Sequence, residues 1–158
     1  MIEVQVYDKD VIAQLKRARE AAVDLSVPFR LIQESWFKGN RTIFSLSGPG
    51  KYQDLKESTK KQKTYLYGSP YPILKAKGAL EKTMIQPGDP VNTIGKTEMV
   101  VGTSSPYAHF LQDGTKKMVA RPVVLLGTEQ VAPGPLNKRI ELWTKMISDY
   151  IDERSGAQ

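Results

Sequence analysis

The chain has 158 residues, 40% hydrophobic and 25% charged, with a formal net charge of +6 and no cysteine. That is enough for one domain around a single core, and the composition is too apolar for intrinsic disorder. The missing thiols exclude disulfides, thiolate metal sites and a cysteine nucleophile, and no apolar run approaches the ~20 residues of a membrane-spanning helix.

The opening residues, MIEVQVYDKD, lack the basic-then-apolar profile of a signal peptide, so a soluble cytosolic product is expected. Ile2, Val4 and Val6 alternate with polar residues and predict a short half-buried strand over 2–6. Asp8 suits the N-cap of a helix from 9 to about 24, whose apolar positions Val11, Leu15, Ala18, Ala22 and Leu25 recur every three or four residues. Ser26 can cap a second helix with Pro28 in its first turn, an apolar face of Phe29, Ile32 and Trp36, and Gly39 as its stop.

From Asn40 to Tyr71 the pattern weakens. SGPG (47–50) is turn chemistry, the polar run from Leu55 suits a short helix, and the whole of 40–71 is expected as a long loop or arm of the kind that partners order. Residues 79–86 suit a strand or a short helix, with a strand from Lys82 favoured. PGDPVNTIG is a turn-rich connector, and 97–103 is rich in β formers, so these two segments predict an antiparallel hairpin with a wide loop. Ser105 and Pro106 begin a short helix, YAHFLQ, that Asp113-Gly114 ends. Residues 121–126 predict another strand, with Pro122 at its start or edge.

After the breaker APGP (132–135) a helix is expected over 136–153, with Leu136, Ile140, Trp143, Ile147 and Tyr150 on one stripe, and 155–158 as a frayed tail. The sum is a single α+β domain over 1–158: a small antiparallel sheet packed against two N-terminal helices and one long C-terminal helix.

Chemistry is hard to find. SGPGK (47–51) lacks the P-loop glycine, with Ser45 in its place, and Tyr52 stands where a Ser or Thr should follow Lys51. His109, the single histidine, shares a helix face with Asp113, but a hydrolase would need an activated nucleophile, and Ser104 and Ser105 read as caps. A metal site would want further ligands of the histidine or clustered carboxylate kind. Asp8 with Asp10, and Asp149 with Asp152 and Glu153, read as solvated helix ends; only the first group suits the helix dipole. The basic residues are scattered, densest at Lys60, Lys61 and Lys63, with no interleaving of aromatics and arginines. No enzyme, cofactor or metal is expected; a binding or assembly module is.

Four signatures sharpen this: SLSGPGKYQDLKESTKKQK (45–63), PILKAKGALEKTM (72–84), VVGTSSPYAHFLQDGTKK (100–117) and ARPVVLLGT (120–128). In this order the chain resembles the phage virion morphogenesis family, the tail-completion proteins of P2-like phages and the related G-like protein of phage Mu. Leu55, Thr59 and Lys63 match the first family stretch, and Gly78 and Leu80 the second. Gly102, Thr103, Tyr107, Ala108 and Gly114 match the third, and Ala120, Arg121, Pro122 and Gly127 the fourth. Tyr52 replaces the family's tryptophan, Lys77 a threonine and Val123 a phenylalanine.

The resemblance implies no catalytic residue. It implies a structural virion protein of the neck or head-proximal tail end, assembled in the host cytoplasm, that forms a homo-oligomeric ring, six copies favoured, and meets neighbouring neck and tail proteins. The alternatives are a tail terminator capping the tail tube and a DNA-binding accessory protein. In a ring, the 40–71 segment and the 88–96 connector are the expected subunit contacts, and Lys60, Lys61, Lys116, Lys117, His109 and Arg121 are the candidates for inter-subunit contact or non-specific contact with channel DNA. No membrane partner is implied.

Overall fold

A computed structural model describes residues 9–47, 52–124 and 136–156; the predicted strand over 2–6 and the last two residues of the tail lie outside them. Among the described residues six helices and one hairpin follow in order: α1 (Lys9–Val23), α2 (Ser26–Ser45), α3 (Glu57–Tyr67), α4 (Ala79–Ile85), β1 (Thr93–Ile94), β2 (Met99–Val100), α5 (Ala108–Asp113) and α6 (Leu136–Ser155). The class is a small, helix-rich α+β fold with a two-stranded antiparallel sheet and a long C-terminal helix.

The α2 helix is the spine. Its start is satisfied by Asp24, whose Oδ1 accepts the Ser26 backbone N–H at 3.0 Å, so Asp24 does what Ser26 was expected to do. Phe29, Ile32 and Trp36 are buried as their spacing requires. Gly39 does not end the helix, which runs on through buried Ile43 and Phe44. A glycine inside a helix costs about 1 kcal/mol. Burying two large side chains is worth about 1.5–3 kcal/mol each, so the continuation wins.

Next to Gly39, Asn40 donates from Nδ2 to the Met84 carbonyl at 2.9 Å and ties α2 to α4. The core is formed by Trp36, Phe37, Ile43, Phe44, Leu74, Leu80, Met84 and Val123.

The strand favoured from Lys82 does not form; the segment takes its other reading, a short helix over Ala79–Ile85. ALEKTMI is made largely of good helix formers, and Leu80 and Met84, four apart, both enter the core. The hairpin accordingly takes its first strand from the expected connector and its second from the 97–103 segment expected to be β. Thr93 pairs with Val100 and Ile94 with Met99 around a tight turn in which the Gly95 N–H donates to the Glu98 carbonyl at 2.9 Å. Residues 121–124 are not a strand. Gln112 on α5 does the ladder's work, its Oε1 accepting the N–H groups of Val123 and Val124 at 3.2 and 3.1 Å and its Nε2 donating to the Val124 carbonyl at 2.8 Å.

Nor is 40–71 one long arm: it carries the end of α2 and all of α3. The α6 helix packs on α1 and α2. The Trp143 ring lies 6.3 Å from the Trp36 ring, and the Arg139 guanidinium lies 4.9 Å from the first centroid it faces, Trp36, and 5.1 Å from Trp143. Of the stripe expected on α6, Trp143, Ile147 and Tyr150 are partly buried and Ile140 is exposed. The stripe expected on α1 is only partly covered, with Ala18 and Leu25 half-buried. Val11, Leu15 and Ala22 are exposed, and Ala21 is the residue buried against α6.

Candidate functional site

The four signature segments, far apart in sequence, meet in one body. The Tyr52 hydroxyl donates to the Pro122 carbonyl at 2.8 Å. Arg121, 7% exposed, donates from Nε and Nη2 to the Gln53 carbonyl at 3.3 and 3.2 Å and from Nη2 to the Asp54 carbonyl at 3.4 Å. The Lys63 ammonium reaches the Pro72 and Ile73 carbonyls at 2.9 and 3.4 Å, linking the first segment to the second. The Thr83 and Thr103 hydroxyls share a hydrogen bond of 2.7 Å, linking the second to the third. The Arg121 N–H donates to the Leu111 carbonyl at 2.7 Å, linking the fourth to the third.

The electrostatics follow from this packing. Burial, with the Arg121 charge adding to it, lowers the Lys63 pKa; burial raises that of the Tyr52 phenol. Lys60 is raised by hydrogen bonds to Asp54 first and then Glu57, each carboxylate 2.8 Å from its ammonium. Asp54 is lowered in turn, chiefly by Lys60. In the 88–96 connector, Asp89 accepts from the Ser104 N–H and hydroxyl and from the Val91 N–H, and the Ser104 N–H leads in holding its carboxyl below the usual range. Ser104 is thereby occupied by Asp89 rather than as a helix cap: α5 begins after Tyr107 with no side-chain cap hydrogen bond, so neither Ser104 nor Ser105 caps it.

The candidate site residues do not gather at one point. Arg121 is a buried backbone clamp and is not available to DNA or a neighbour. Lys60 is held by two carboxylates. Lys61, Lys116, Lys117 and His109 are exposed. The His109 ring lies 3.8 Å from that of Phe110, and no hydrogen bond joins it to Asp113 or to a serine among the described residues. Nor do the described residues hold three or more His, Cys, Asp or Glu placed to share a metal ion. No helix of the described residues is long and apolar enough to cross a membrane.

No family model, curated protein or solved structure matches this chain.

What the signature body presents outward is an apolar groove of about 690 Å³ between the 72–81 segment and α5, with Ile73, Leu80, Leu111 and Met118 among its lining residues. Tyr107, 67% exposed, and Phe110 stand at its edge. Lys77 lines it, and Lys116 and Lys117 sit in the turn between its lining residues Thr115 and Met118. Sequence reading missed this groove because it needs α4 as a helix. The signal was present in the helix propensity of ALEKTMI.

Proposed function

We propose that this protein is a structural subunit of a bacteriophage virion, standing at the neck or the head-proximal end of the tail. It completes the tail and joins it to the head as a member of a homo-oligomeric ring. The observation that supports this reading is the convergence of the signature positions. Tyr52, Lys63, Thr103, Arg121 and Pro122 are bonded across segment boundaries rather than turned toward a cleft. Residues committed in this way set the shape of a subunit, and shape is what an assembly protein sells to its neighbours in place of chemistry.

Lys61, Lys116 and Lys117, exposed and outside any ion pair among the described residues, are the positions left for salt-sensitive attraction to DNA phosphates in a channel. Deleting the gene from its phage genome is the test. Filled heads and separate tails that do not join are the expected particles. Tails of uncontrolled length would assign the chain to the cap of the tail tube, and normal infectious particles would refute a virion role.

A further inference from the structure

The walls of the groove beside α5 are tied in place by their own turns. On one side Gly78 turns the chain into α4 at a φ of 80°, and the Lys75 ammonium pairs with Glu81 across that turn at 2.8 Å. On the other side Gly114 turns the chain out of α5, and Thr115 and Met118 exchange backbone hydrogen bonds of 2.7 and 3.2 Å. The Thr115 hydroxyl also accepts the N–H groups of Lys117 and Met118 at 3.2 and 3.0 Å. A surface fixed in this way loses little conformational freedom when something binds to it. Its floor is aliphatic, and Tyr67, 41% exposed, stands at the edge with Tyr107 and with Phe110, 42% exposed. Large apolar side chains grouped around a concavity mark a place for further apolar side chains.

The charge around the groove narrows what those side chains belong to. Lys77, Lys116 and Lys117 are exposed, and no ion pair among the described residues involves them. Lys75 neutralises Glu81 on the wall, and against Asp113 at the end of α5 the three free lysines leave the rim positive. The lining residues come from helices and turns, and neither β1 nor β2 contributes one. These walls offer no strand edge to extend, so recognition falls to side chains, as when a helix lies in a groove. A nucleic acid would use the lysines and the two aromatic rings of α5 and its start, but it would leave the aliphatic floor unmatched, and no arginine is among the lining residues.

We propose that this groove receives an acidic amphipathic helix of a partner protein, its large apolar side chains seated against Leu80, Leu111 and Met118 and its flanking Asp or Glu residues meeting Lys77, Lys116 and Lys117. The apolar contacts hold the helix. The lysines set its sign and orientation, and they speed encounter more than they tighten the complex. The proposal rests on the groove alone, so it and the virion reading fail separately: one is read from a binding isotherm, the other from particles.

Fluorescence anisotropy with the full chain tests it. The probe is a fluorescein-labelled helical peptide of about 15 residues with Leu and Phe on one face and Glu on the other; its counterpart carries Lys for every Glu. The acidic peptide is expected to bind at least about tenfold more tightly than the basic one, and salt should weaken it. Lys116→Glu combined with Lys117→Glu should cost about tenfold or more, and Tyr107→Ala a similar factor, with far-UV circular dichroism unchanged because all three side chains are exposed. The same charge change made at Lys16 and Lys38, exposed on α1 and α2, should leave binding within about twofold. Equal binding of the two peptides, indifference to the Lys116 and Lys117 changes, or an equal loss from the Lys16 and Lys38 changes would overturn the proposal. So would displacement of the peptide by oligothymidine, which would assign the groove to nucleic acid, or self-association of the chain that the peptide reverses, which would assign it to a second copy.

Discussion

Gly114, which ends α5, makes the sharpest stability prediction. Its φ is 75° and ψ −174°, a region that residues with a Cβ avoid. A Cβ there would lie 2.7 Å from the Ala120 nitrogen and 2.9 Å from the Met118 oxygen, both backbone atoms that no rotamer change can move. Gly114→Ala therefore combines backbone strain of about 1–3 kcal/mol with overpacking of similar size, together about 4 kcal/mol.

Gly68 supplies the control. Its φ is 76°, but nothing lies within 4 Å of its would-be Cβ, so Gly68→Ala should carry only the left-handed cost, about 1 kcal/mol. With a urea slope of about 2 kcal/mol/M, the unfolding midpoint should fall by about 2 M for Gly114→Ala and about 0.5 M for Gly68→Ala. Equal shifts for the two variants would show that the 114–120 approach does not exist in the folded protein, and the packing of the third and fourth signatures would have to be redrawn.

Three further outcomes are expected. Arg121→Ala removes a buried donor from two carbonyls and should lower stability by about 2–3 kcal/mol by urea titration, with Arg121→Lys recovering only part of it because one ammonium cannot reproduce the fork. Arg139→Lys should lower stability by about 1–2 kcal/mol, followed by tryptophan fluorescence, since the planar guanidinium lies against both Trp36 and Trp143. Asp89 has a folded pKa below its unfolded one, so its contribution is present above about pH 4 and lost as pH falls through the folded value. Asp89→Asn should flatten the acid limb of stability against pH, and an unchanged limb would count against the Ser104 and Val91 hydrogen bonds.

The long helices were legible because burial demands a stripe and a stripe is a sequence property. Thus α2 and α6 lie where the spacing of Phe29, Ile32 and Trp36, or Trp143, Ile147 and Tyr150, puts them. The short helix ended by Asp113-Gly114 was legible for a different reason: Gly114 is needed for its local φ, and local conformation is written locally. Short elements failed where a local pattern fits two structures. ALEKTMI is short enough to read as a strand or a helix, and docking of Leu80 and Met84, four apart, against α2 selects the helix.

The candidate surfaces divide in the same way. Sequence alone excluded thiol chemistry, placed His109 on a helix without a nucleophile, and ordered the four signatures. It could not say that Arg121 is buried, because a buried arginine and an exposed one have the same letters and differ only in which carbonyls happen to lie within reach. Nor could it say which apolar positions face the core: Val11 and Leu15 repeat as a buried stripe would and are exposed, while Ala21, outside that stripe, is buried. Periodicity reports that a helix has an apolar face; the lengths and directions of its neighbours decide whether that face is covered within the chain or left for another molecule.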